Sequence, residues 1–170
     1  KQEYETEYNL GELGIAWTFG SGAYALTPVI GYELLGADDS QRTGNTNGNI
    51  YAFQTPYATK HAFNGWVDQF LVTPNQGLAD TYLSLAFDLN AYATKILIQY
   101  HEYESDVESQ PLGDKLDLGE EAGVQIIKTL GPNWTIGTKY GDYKQASDAD
   151  VAVSGKKNAD KVWVWAELNF

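Results

Sequence analysis

The chain has 170 residues, which suits one domain, and none of its apolar runs approaches the roughly 18 residues that a membrane-spanning helix requires. A net charge of −12, from 23 acidic against 11 basic residues, argues against a nucleic-acid-binding surface, and the absence of Cys leaves no disulfide framework and no thiol chemistry. Aromatic residues at 14%, with only 5 Pro and 17 Gly, point to many short strands rather than to disorder.

In chain order, residues 1–8 are charged and polar, so any signal peptide has been removed or the chain begins inside a longer protein. From residue 8 onward the pattern has period two, the mark of strands with one apolar face. Residues 8–19 set Leu13, Ile15, Trp17 and Phe19 against Glu12, Gly14, Ala16 and Thr18, and 20–22 turn the chain back. Residues 24–35 set Leu26, Pro28, Ile30, Tyr32 and Leu34 against Thr27, Gly31 and Glu33; Pro28 lacks an N–H and marks an edge or a bulge. The connection 36–78 is rich first in Gly, Asn, Asp and Thr and then in aromatics, too much for an idle loop.

Residues 79–89 place Leu83, Leu85 and Phe87 opposite Tyr82, Ser84 and Asp88, with a tight turn at 90–92. Residues 93–104 alternate Ile96, Ile98 and Tyr100 with Lys95, Gln99 and His101, Leu97 being an apolar exception. After a polar connection, 115–130 set Leu116, Leu118, Ala122, Val124 and Ile126 against Asp117, Gly119, Glu121, Gly123 and Gln125, with Glu120 out of pattern. A turn at 131–133 leads into 134–145, where Trp134, Ile136, Thr138 and Tyr140 alternate with Thr135, Gly137, Lys139 and Gly141. Residues 146–159 are a polar loop, and 160–170 close the chain with Val162, Val164, Ala166, Leu168 and Phe170 on one face and Trp163, Trp165, Glu167 and Asn169 on the other.

One clean apolar row, an opposite row that is polar and Gly-rich, and connections that are alternately short and long predict an all-β fold. The expected architecture is an antiparallel, transmembrane, up-and-down β-barrel with about seven strands in this chain, forming part of a larger barrel. Aromatic residues at both ends of the strands fit two interfacial girdles in contact with outer-membrane lipid. The ending on Phe170 resembles the signal strand of bacterial outer-membrane barrels, which implies the barrel assembly machinery as a partner. Parity then puts Glu12, Glu33, Asp88, Lys95, Gln99, Asp117, Glu121, Lys139 and Glu167 on the pore-lining row, with Lys161 beside them. A small closed barrel that binds an apolar ligand or a protein partner, with residues 1–8 as an eighth strand, has the same alternation.

The long connection also carries a family resemblance. Its segments GYELLGADD at 31–39, FQTPYATKHAFNGWVDQF at 53–70 and TPNQGLADTYL at 73–83 resemble the corresponding segments of the alginate-export family of outer-membrane porins. The resemblance implies the carboxy-terminal part of a barrel through which a polysaccharide or another polar solute crosses the bacterial outer membrane. A polyanion calls for a basic lumen, whereas the only Arg here is Arg42 in a loop and the lumen row is acidic, so a neutral or cationic solute and a cation preference are expected.

Four aromatics of the connection, Phe53, Phe63, Trp66 and Phe70, are expected to hold it against the barrel wall as a constriction, with His61 packed or hydrogen-bonded among them. Catalysis is not expected, because the chain has no Gly-x-Ser-x-Gly elbow and the His101–Glu102 pair lacks the second His of a zinc helix. No cofactor or metal is expected either; Asp38, Asp39, Asp148 and Asp150 are read as solvated loop residues.

Overall fold

A computed structural model describes residues 4–40, 51–55, 59–109, 112–147, 150 and 154–170. Arg42 and Asp148 lie outside the described residues. The fold is all-β, with eight antiparallel strands in one sheet: β1 (Tyr8–Gly14), β2 (Trp17–Phe19), β3 (Tyr24–Leu35), β4 (Leu78–Leu89), β5 (Thr94–Glu104), β6 (Asp117–Leu130), β7 (Trp134–Lys144) and β8 (Ala159–Leu168). β1 and β2 both lie along β3, each strand from β3 onward pairs with the next in sequence, and the sheet is open between the β1–β2 edge and β8.

The first strand expected from the sequence is divided in two, and Pro28 is the reason. The register Gly14↔Val29 carries through to Trp17↔Leu26 without a slip, and the Ile15 N–H still donates to the Pro28 carbonyl at 3.3 Å. An antiparallel hydrogen-bonded pair exchanges two bonds, and Pro28 has no N–H with which to return the second.

A β-bulge changes the face of a second stretch. Tyr103 pairs with Gly119 but Glu104 pairs with Asp117, so Leu118 is the extra residue, and Gly119 takes φ 95° at the kink. Leu116 and Leu118, expected on the lipid row, are buried instead, each 1% exposed, while Asp117 turns outward beside Glu104.

The two faces of the sheet differ. One face is bare and carries Leu13, Ile30, Leu83, Leu85, Ile98, Ile126, Ile136, Val162 and Val164, all exposed. The other is covered near the long connections by the segment 59–73, which contains the one-turn helix α1 (Lys60–Phe63). Between that segment and the strand ends lies the core: Leu35, Val67, Phe70, Leu78, Tyr103, Leu116, Leu118 and Tyr143, with Phe53 and Ala159 against it. The hydrophobic core of this chain is therefore the contact of a loop with a sheet.

Candidate functional site

The covered face is built to receive the loop. Gly123 and Gly141 stand opposite each other on β6 and β7. A Cβ on Gly123 would come within 2.7 Å of the Trp66 ring, and one on Gly141 within 2.9 Å of the Val67 methyl. The Gly-rich character of this row thus makes room for side chains that descend from the loop. The same device recurs where the Tyr82 ring crosses Gly31 and donates its hydroxyl to Glu12 at 2.6 Å, and where the Trp165 ring lies over Gly137.

Carboxylates fix the loop's backbone. Glu121, 2% exposed, accepts the Trp66 N–H, and it accepts the Val67 N–H at 3.1 Å. Gly65 precedes them at φ 91°, where a side chain would run into Glu121 and the Tyr103 hydroxyl. Glu33, also buried, accepts a 2.7 Å bond from the Asn64 amide. Beside it Asp80 meets His101 Nδ1 at 3.0 Å, and the imidazole is stacked between Tyr82 and Tyr103.

A second cluster joins the loop to β7 and β8. His61 Nδ1 lies 2.6 Å from Asp68, and Lys139 Nζ lies 3.1 Å from His61 Nε2. An ammonium can only donate, so Nε2 is the acceptor and the Nδ1 proton points at Asp68. Asp68 also takes a 2.8 Å bond from Lys161. Burial pushes the Asp68 carboxyl up, but the hydrogen bonds from Lys161 and His61 and the charge of Lys161 outweigh it and hold the group below the ordinary range. Three indoles surround this network: Lys139 Nζ is 5.1 Å from the Trp66 ring and 5.7 Å from Trp165, and Trp163 meets His61 edge-on at 4.9 Å. Farther along, Lys156 donates to the Gln69 carbonyl and sits 4.7 Å above Phe70; burial lowers its ammonium's pKa.

The structure brings together many residues of the expected pore and constriction, with different duties. Trp66 and Phe70 are buried and hold the loop down, and Phe53 packs on the core and stacks on Tyr8 at 5.2 Å, whereas Phe63 is 57% exposed. Glu33 and Glu121 face the loop instead of open space, and Asp117 is on the bare face beyond the bulge. Asp88 pairs with Lys95 at 3.3 Å, Gln99 stands across from Ser84 and Gly123, and Glu167 is exposed opposite Thr135. Asn64, Asp68 and Asp80 were not marked by the sequence, since parity places a residue on a face without saying what covers it. His101, which alternation puts on the polar row of β5, is 3% exposed. The chain matches no family model, no curated protein and no solved structure.

Proposed function

We propose that this chain forms part of the wall of an outer-membrane, porin-like channel, and that its segment 59–73 folds inward to narrow the passage. The observation that carries the reading is the one-sided exposure of large apolar residues: Val164 is 79% exposed and Leu13 69% on the bare face, while the opposite face carries the glycines, carboxylates and lysines that meet the loop beside the buried core. Left in water, so large an apolar face would be a liability; against hydrocarbon it is the expected outer band.

The limits of the band support the same reading. Phe19, Tyr24 and Phe87 stack at its short-turn end, with Phe19 and Tyr24 5.4 Å apart, and Trp134 and Tyr92 stand at the same end. Tyr32, Tyr100 and Tyr140 mark the other limit, beyond which come Glu102, Glu120 and Asp142. From Tyr24 to Tyr32 the strand rises about 27 Å, or about 20 Å after the usual tilt, close to the ~25 Å apolar band of such barrels.

The solute that suits the lumen is polar and neutral. Of the acids that parity directs inward, Glu33 and Glu121 are occupied by the loop and Asp88 is paired, and Lys139 and Lys161 offset part of the rest. The resemblance to the alginate-export porins supports a saccharide-sized passage, and the acidic lumen row disfavours a polyanion. The experiment is reconstitution of the full-length protein in planar bilayers: ohmic conductance with vesicle insertion is expected, and a monodisperse protein without detergent that forms no channels would overturn the reading.

A further inference from the structure

We propose that the groove of about 550 Å³ on the bare face of β6, β7 and β8 holds one acyl chain of a phospholipid whose phosphate pairs with Lys128. This rests on the outer-membrane reading. Two cross-strand rows make the groove: Lys128, Ile136 and Ala166 in one, Ile126, Thr138 and Val164 in the next. Thr138 and Ala166 are the small members, so a hollow opens between Ile126, Ile136 and Val164, and Lys128 is the only charge lining it.

The position of that charge selects the occupant. Lys128 Nζ bends toward the short-turn end and donates to the Tyr92 carbonyl at 2.8 Å and to Thr94 Oγ1 at 3.4 Å, which leaves one N–H for a further acceptor. Its apolar stem lies along the hydrocarbon band and its ammonium reaches the level of the aromatic belt, where phosphates reside. The other described bare-face charges of the strands, among them Glu102, Glu120 and Asp142, gather at the opposite end. A second hollow, of about 420 Å³ between β1, β3 and β4, is lined by Leu13, Pro28, Ile30 and Leu83 with no cation, so a phosphate has nothing to meet there. An anionic diacyl lipid satisfies the groove and the ammonium with one molecule, its chain running along the strands from the phosphate.

The test uses the full-length protein inserted in vesicles of phosphatidylcholine and phosphatidylglycerol, then extracted gently and weighed with its retained lipid by native mass spectrometry. Wild-type protein is expected to keep phosphatidylglycerol, and Lys128→Gln to retain about fivefold less, the effect of one interfacial cation on an anionic lipid. Ala166→Phe, which fills the groove and leaves Lys128 in place, should lower retention as well. Insertion of all three proteins with equal phosphatidylglycerol would overturn the groove assignment alone. A wild-type chain that stays in the aqueous fraction would overturn the outer-membrane reading and the groove with it.

Discussion

Glu121 and Trp66, 55 residues apart in sequence, are joined by a buried bond from the loop's backbone to a strand's carboxylate. One side chain near the start of β6 thereby fixes the backbone of the covering segment at two successive residues, since the neighbouring Val67 N–H shares the same acceptor.

Replacing Glu121 with Leu should release the loop. The Trp66 and Val67 N–H groups would lose their buried acceptor, at a cost of roughly 1–3 kcal/mol for each group left unsatisfied. Amide hydrogen exchange at both positions is expected to accelerate, and conductance to rise as the loop leaves the lumen. Protection equal to wild type would show that the loop is held by its aromatic residues alone. Glu121→Gln keeps one acceptor and should fall between the two.

Gly123→Ala is expected to destabilise the protein by about 1–3 kcal/mol, because its Cβ must displace the Trp66 ring from a packed interface. Gly11→Ala is the matched control, since a Cβ there meets nothing within 4 Å. Thermal unfolding of the pair measures the difference, and equal losses would mean that the Gly123–Gly141 seat is not used.

Acid should weaken the hold of the loop on β7 and β8. The Asp68 carboxyl titrates below its unfolded value, so its stabilising contribution is complete above about pH 4 and is lost as pH falls through the lower folded value. Exchange protection of residues 61–68 should therefore drop in that acid range, and Asp68→Asn should remove this part of the pH dependence. An unchanged acid profile in the variant would assign the effect to other carboxylates.

Charge selectivity should be weak. With Glu33 and Glu121 bonded to the loop and Asp117 on the bare face, replacing these three with Gln, Gln and Asn should change the reversal potential little through charge alone, and any shift should accompany loosening of the loop. The cation preference expected from parity should not appear. A pronounced preference for anions would return the reading to a polyanion passage.

Strand positions and faces were legible in the sequence because alternation is a local property: Leu83, Leu85, Ile98 and Val164 fall where period two puts them. The faces of Leu116, Leu118 and Asp117 were not legible, since one unpaired residue inverts everything beyond it and the bulge is set by pairing with Tyr103 and Glu104. Trp66 and Phe70 declared themselves as apolar residues in a polar connection. Their partners Glu121 and Glu33 looked like pore charges, because a carboxylate that binds a distant amide has the same local signature as one in water.

The up-and-down order has a directional consequence. β1 and β2 share one place in the sheet and β3 to β8 occupy six more, so the two outermost strands, β1 and β8, point the same way. Direct closure would join them side by side in parallel, with the evenly spaced, slanted bonds of that geometry. Any additional sheet that completes both margins in antiparallel fashion must instead contribute an odd number of strands, which makes the combined total even.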